Sequence, residues 1–286
     1  MAQPNVSSLQ PAIVIASLVL VTTSVGKATD TRVVWHFQKG HFALADLERM
    51  DRIGVTLEDQ PDFYEPEDVE DFHFSSGLQD LAVVTQNVDP LHQRAGSKNV
   101  IQLHGGGTLV RCMNCGKKRD RKDFHREMEA LNVDWVQEAR DGYKDDSSDM
   151  RPDGDAMVKE MDYNHVHVPN CEHCKIGFYK PDVVFFGDSV PKHRLAMCRE
   201  AVEAADGILV VGSSLAVHSA FRHIRAASLK GTPVAILNVG ETRAEAEGLD
   251  GILKIEAPAG DTLSALVERF SGQDLALQRA VAAAEL

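Results

Sequence analysis

Five cysteines in 286 residues are too few for a fold stapled together by disulfides. Basic side chains are also scarce: 30 Lys and Arg stand against 43 Asp and Glu, giving a formal net charge of −13. Displacing counterions around phosphates needs clustered Lys and Arg, so a broad nucleic-acid footprint is excluded and no nucleic-acid partner is expected. The one basic run, Arg111 to Lys122, is short, adjoins a cysteine pair and reads as a solvated face. Residues 1–26 contain no Lys or Arg, whereas a secretory signal wants a positive start and a mitochondrial presequence wants arginines. The apolar stretch from Ala12 to Val21 is too short to span a bilayer, so no membrane partner is expected. Its β-branched runs, Ile13-Val14-Ile15 and Val19-Leu20-Val21, fit a buried parallel strand.

The hydrophobic content of 43% is enough to bury a full core, as one large domain with a smaller module or as two modest domains. Four of the cysteines form two Cys-x-x-Cys pairs, Cys112/Cys115 and Cys171/Cys174. Thiolates two residues apart can grip one metal ion from a tight turn, and two such turns complete a tetrahedral zinc site closed to solvent. Residues 116–170 lie between the pairs, longer than a plain zinc ribbon needs, so an insertion is expected there. The fifth cysteine, Cys198, sits in a helical pattern and reads as a small core residue.

Short apolar runs alternate with amphipathic stretches in the C-terminal half. Val183 to Phe186 reads as a strand, Lys192 to Ala204 as a helix, Gly207 to Val211 as a strand, Ala216 to Leu229 as a helix and Pro233 to Asn238 as a strand. Leu81 to Thr85 adds a further buried strand. This alternation predicts an α/β fold, a doubly wound parallel Rossmann-like sheet. Ligands of such sheets bind outside the carboxyl ends of the strands. Gln86/Asn87/Asp89, Gly187/Asp188, Gly212-Ser213-Ser214 and Asn238 all fall at strand ends. Singly, Gly-Ser-Ser reads equally as a turn with a helix cap, and Asn238 as the end of a strand. His104, in Leu103-His104-Gly105-Gly106-Gly107, reads as a loop histidine or as a general base at the mouth of the cleft.

Thr85-Gln86-Asn87-Val88-Asp89, Leu91-His92, Ala95-Gly96, Leu103-His104-Gly105, the two cysteine pairs and Gly212-Ser213-Ser214-Leu215 together resemble a sirtuin. The resemblance runs from about Thr85 to the C-terminus. Lys180 to Val190, Leu209 to Leu215, Pro233 to Gly240 and the long insertion are most similar to the class II, sirtuin-four-like branch. Val217-His218-Ser219-Ala220, lacking the proline found there in many deacetylating sirtuins, also suits that branch.

The resemblance implies an NAD-consuming protein-lysine deacylase, with lipoamidase or ADP-ribosyltransferase activity as variants. In that family the acyl-lysine oxygen attacks the nicotinamide ribose, nicotinamide leaves, and a histidine base activates a ribose hydroxyl. His104 matches that base. Gln86, Asn87, Val88 and Asp89 match the residues around nicotinamide and its ribose, and Gly212, Ser213, Ser214, Asn238, Val239, Gly240 and Ala259 match the adenosine side. Val184, Phe185 and Gly187 match the edge that pairs with the substrate backbone, so acylated lysine side chains of proteins are the implied partners. Cys112, Cys115, Cys171 and Cys174 match one structural zinc site. A mitochondrial address follows from the resemblance alone.

The pattern departs from the family at its start. The family's Gly-Ala-Gly-x-Ser phosphate loop has only Thr22-Thr23-Ser24-Val25-Gly26-Lys27-Ala28 as a counterpart, and glycines are what allow backbone amides to approach a pyrophosphate. Gly40 to Glu48 resembles a helix that the family places well after that loop, Glu58 to Asp71 reads as a solvated acidic insertion, and Pro90 directly follows Asp89. The departure keeps open a catalytically impaired relative that serves as a zinc-containing interaction protein, and a chain unable to complete its core. The expected organisation is residues 1–30, a first strand and degraded cofactor loop; 31–110, Rossmann-like with the acidic insertion at 58–71; 111–180, the zinc-binding module; and 181–286, the Rossmann-like remainder.

Overall fold

A computed structural model describes residues 31–50, 52–53, 55–56, 80–81, 83–142 and 163–284. The expected first strand with its cofactor loop, and the acidic insertion at 58–71, lie outside the described residues. The described chain opens with α1 (Thr31–Arg49), a small antiparallel pair β1 (Val55–Thr56) and β2 (Asp80–Leu81), then β3 (Val83–Thr85), α2 (Leu91–Ala95) and β4 (Val100–Gln102). Next come β5 (Gly105–Cys112), β6 (Lys118–Asp120), α3 (Arg121–Leu131), α4 (Val133–Gly142) and β7 (Tyr179–Val183). The remainder alternates: α5 (Lys192–Ala204), β8 (Ile208–Val211), α6 (His218–Lys230), β9 (Val234–Leu237), α7 (Arg243–Ala246), β10 (Ile252–Ile255) and α8 (Ala259–Ala284).

The β-branched runs pair in parallel, as their two-sided burial requires. β8, β9 and β10 form one parallel ladder in the order β10-β9-β8, and β3 pairs with β4 in a second. Helices cover both faces. On one, Met197, Cys198 and Ala201 of α5 and Phe221, Ile224 and Ala227 of α6 pack on Ile101, Val210 and Ile236. On the other, Ala43, Leu44 and Leu47 of α1 and Leu263 of α8 pack on Val83, Val211 and Leu237. Each fully buried large side chain contributes roughly 1.5–3 kcal/mol of transfer free energy. α6 stops at Gly231, whose left-handed φ of 82° lets its amide donate to the carbonyls of Ala227 and Ser228.

One strand lies elsewhere than the apolar run suggests. β7 ends at Val183, and residues 184–188 turn, because β7 pairs antiparallel with β5 in the separate sheet β6-β5-β7. Cys112 stands opposite Tyr179, and the Asp188 carboxylate accepts from the Phe185 amide and from Lys180. The basic run is likewise not simply a solvated face. Lys118 points inward, its side chain 6% exposed and 3.4 Å from the Asp182 carboxylate. Cys198 is buried in the core, where burial pushes its thiol up to about 12. Among the described residues, no helix is long and apolar enough to cross a membrane.

One fully buried and one half-buried histidine give the fold a signed pH dependence. The His92 ring is fully buried, 4.5 Å from that of His41 on α1; burial, reinforced by His41, takes its pKa from 6.5 down to about 3. Burial, with Arg222 and Arg199 nearby, takes His223 on α6 down to about 4. Both folded-state values are depressed, so the unfolded chain binds these protons first. Stability is expected to fall as pH drops below 6.5 and to go on falling until the folded histidines titrate near 4 and 3. Each unit of separation corresponds to about 1.4 kcal/mol. Urea midpoints measured from neutral to mildly acidic pH check this: His92→Phe should flatten the dependence, and an unchanged slope would contradict it.

Candidate active site and metal centre

The antiparallel sheet brings the two Cys-x-x-Cys turns together. Cys112 ends β5, Cys115 lies in the turn before β6, and Cys171 and Cys174 precede β7. All are free thiols, and the four sulfurs lie within 4.8 Å of one another. Cys112 and Cys174 are 3.7 Å apart, as are Cys115 and Cys171. A tetrahedron of Zn–S bonds near 2.3 Å has sulfur–sulfur edges of about 3.8 Å, so the geometry fits zinc. Backbone amides of Asn114 and Cys115 donate to Cys112 Sγ, and that of Gly177 to Cys174 Sγ, which stabilises thiolates. Four sulfurs leave no open position, and the site is structural. Gly177 was not picked out in the sequence: a Cβ there would stand 2.3 Å from Cys112 Sγ and 3.1 Å from Cys174 Sγ. Its only signal is a glycine three residues after the second pair.

The cleft is built at the carboxyl ends of β3 and β8. Gln86 and Asn87 leave β3 buried, and Gln86 Nε2 lies 3.5 Å from Ser213 Oγ, which follows β8. Gln86 Oε1 and Asn87 Nδ2 are buried without a hydrogen-bond partner among the described residues. One acceptor and one donor are thus left buried and unmet beside Ser213, which costs free energy unless a ligand or water meets them. Val88 is exposed, but its carbonyl accepts from the Gly107 amide at 2.6 Å. The Asp89 carboxylate accepts from the Leu91 amide at 2.9 Å, across Pro90.

The opposite wall bends sharply. Gly212 has φ 58°, and Leu215, fully buried, has φ 56°, a left-handed conformation that a branched side chain holds at a cost of order 1–3 kcal/mol. Ser213 Oγ accepts the Leu215 amide at 3.1 Å, and the Ser214 carbonyl accepts that of Arg243 at 2.8 Å. Asn238 Nδ2 donates to the carbonyls of Val239 and Gly240, fixing the turn after β9. Ala259 opens α8, where it packs against the core cluster of α1 and α8.

His104 sits between β4 and β5, its Nε2 2.7 Å from Ser219 Oγ. Burial holds its pKa below the usual 6.5, a hydrogen bond to the Gln86 backbone opposes this, and the Arg194 charge lowers it further. The ring is therefore a neutral imidazole at pH 7, the form a base needs. Its carbonyl accepts from the Val184 amide at 2.9 Å, which ties the residues after β7 to the cleft. There Phe185 is about half exposed beneath Lys180, Phe186 is almost fully exposed, and Gly187 turns with φ 92°. Three further residues near His104 escaped the sequence reading: Ser219, Arg194 and Asp182. Arg194 and Asp182 are buried and pair at 3.1 Å.

A model of the Sir2 family matches residues 73–219, half of the chain. The chain belongs to the Sir2 family. It is 45% identical over 163 residues to NAD-dependent protein deacetylase 2 of Bradyrhizobium diazoefficiens, covering 57% of this chain and 56% of that protein. It is 41% identical over 192 residues to an NAD-dependent protein deacetylase of Bordetella bronchiseptica, covering 67% and 65%. To NAD-dependent protein deacylase Sirt4 of Drosophila melanogaster it is 40% identical over 187 residues, covering 65% and 56%. This Sir2-family chain thus spans between about half and two thirds of the length of these relatives. The bacterial proteins match as closely as the fly protein, so similarity selects neither a branch nor a compartment. Among solved structures, "Sir2 bound to acetylated peptide" aligns with a TM-score of 0.54 at 24% identity, over 82% of this chain and 70% of that one. It shows the shared fold, and the expected Rossmann-like architecture with a cysteine tetrad is the one found.

Proposed function

We propose that this Sir2-family chain is an NAD-dependent protein-lysine deacylase. The observation that carries the reading is the pair of buried, unmet polar atoms, Gln86 Oε1 and Asn87 Nδ2, in the same cleft as the neutral His104. NAD, when bound, supplies a leaving nicotinamide and a ribose carbon that takes the acyl oxygen. Gln86 and Asn87 offer an acceptor and a donor to an amide or a hydroxyl, and Val88 and Asp89 continue that wall. Gly212, Ser213, Ser214, Asn238, Val239, Gly240 and Ala259 are the proposed adenosine-side residues. The Asp89 carboxylate would favour positive charge on a sugar bound beside it. His104 acts as general base.

Val184, Phe185 and Gly187 are proposed to receive the backbone of an acylated-lysine substrate by strand addition, leaving substrate choice to side-chain pockets. A preference for longer acyl groups, lipoyl removal or ADP-ribose transfer, together with a mitochondrial site of action, rests on the sirtuin-four-like stretches. The four cysteines hold one zinc ion that keeps β5, β6 and β7 in register. One observation favours the second reading, a non-catalytic interaction protein: a single glycine, Gly26, in Thr22 to Ala28, where the family has a glycine-rich loop.

Nicotinamide release from NAD with an acyl-lysine peptide separates the two. The intact chain should release nicotinamide. His104→Tyr should lower turnover by about 10²–10⁴-fold while zinc content and melting stay unchanged. A folded, zinc-loaded protein that releases none would support the interaction protein.

A further inference from the structure

His104 and Ser219 come from distant parts of the chain, the β4–β5 connection and the first turn of α6, yet their side chains meet at 2.7 Å through Nε2 and Oγ. That is a short separation for a hydrogen bond to a ring nitrogen. A hydrogen bond between the ring and the Gln86 backbone fits the tautomer that carries its proton on Nδ1, in which the Nε2 lone pair faces the serine hydroxyl. We infer that Ser219 is the positioning residue for His104, holding the ring in the tautomer and orientation in which Nε2 is the basic atom. The inference rests on the reading of His104 as the base.

A hydroxyl suits this task better than other polar groups. It donates to the neutral Nε2, so it favours the uncharged ring that a base needs. A carboxylate there would favour imidazolium and remove the neutral form at pH 7. The groups facing the ring act in opposite senses: burial and the Arg194 cation on α5 favour the neutral form, and the hydrogen bond to the Gln86 backbone after β3 favours imidazolium, with Ser219 on α6 at the Nε2 side. Ser219 also lies at the N-terminal end of a 13-residue helix, whose positive dipole end disfavours imidazolium. When a substrate hydroxyl arrives, the serine gives up the lone pair by rotation and no bond to carbon changes. Nothing in the sequence marks the pairing, since Val217-His218-Ser219-Ala220 stands out there only for lacking a proline.

The test uses the full zinc-loaded chain and the variants Ser219→Ala and Ser219→Thr. The first readout is the NMR titration of the His104 ring without NAD. Loss of the donor to the neutral ring nitrogen in Ser219→Ala should raise that pKa, and Ser219→Thr should leave it in place. The second is nicotinamide release against pH. Ser219→Ala should lower kcat by about tenfold with KM for NAD nearly unchanged and shift the acid limb upward, whereas Ser219→Thr should keep most of the rate. Ser219→Cys, close in shape but a weak donor, replaces the alanine variant if the latter does not fold. A Ser219→Ala protein whose His104 titration is unmoved overturns the inference. If the wild type releases no nicotinamide yet its His104 titration responds to Ser219→Ala, the positioning role stands and the deacylase reading falls.

Discussion

Replacing Cys171 by serine is expected to strip the metal from the protein and unfold the β5-β6-β7 sheet. Cys171 is fully buried, and its sulfur is 3.7 Å from that of Cys115. A hydrogen bond with the Tyr179 hydroxyl lowers its thiol pKa. Among the described residues, and apart from its cysteines, the local core consists of Val110, Phe124 and Tyr179, with Met128 packed alongside. So small a core cannot offset the ordering of its chain, and a structural zinc site supplies about 10–16 kcal/mol of binding free energy coupled to folding. The loss should spread to the cleft, because β5 begins next to His104 and the Val184 amide donates to the His104 carbonyl. Metal analysis and circular-dichroism melting decide the matter. One zinc per wild-type chain and almost none in the variant, with a much lower melting temperature, is the expected result. A Cys171→Ser protein with full zinc and unchanged melting would contradict it.

Asp182→Asn is expected to destabilise the whole chain by about 3–5 kcal/mol. The carboxylate is 8% exposed and faces two buried cations, Arg194 of α5 at 3.1 Å and Lys118 of β6 at 3.4 Å. One side chain on β7 thereby joins the zinc-bearing sheet to the helix layer beneath the cleft. An amide would leave two positive charges facing each other where water is excluded, at the loss of the anion that makes their burial tolerable. Gly105 marks how close this packing is, with φ 81° and a position where a Cβ would lie 2.0 Å from the Asp182 carbonyl oxygen. Urea denaturation of the single variant and of Asp182→Asn with Lys118→Met tests the electrostatic origin. The double variant should recover part of the loss, and two equally destabilised proteins would point to packing instead.

Much of the fold is legible in the sequence because its signals are local. Lys192 to Ala204 repeats a helical pattern and forms α5 with those bounds. The runs at Ile208 and Val234 carry enough β-branched residues for two-sided burial and become β8 and β9. The cysteine pairs state their chemistry by spacing. What escapes depends on a partner far along the chain. Val183 to Phe186 is the most apolar stretch of its region, yet the strand is Tyr179–Val183, because β5 is there to pair with it and Lys180-Pro181-Asp182 gives no periodic signal. Lys118 looks like part of a solvated basic run until Asp182 is brought to it. Ser219 and Gly177 acquire meaning only from a ring nitrogen and a sulfur that folding places beside them.

Calorimetric titration of the folded, zinc-loaded chain with NAD tests the account most directly, with Asn87→Ala as its partner measurement. Saturable binding, weakened about tenfold or more when the buried Asn87 amide is removed, is the expected result. A folded protein that gives no binding heat with NAD, or that binds it equally well without the Asn87 amide, would contradict the reading of this cleft as an NAD site.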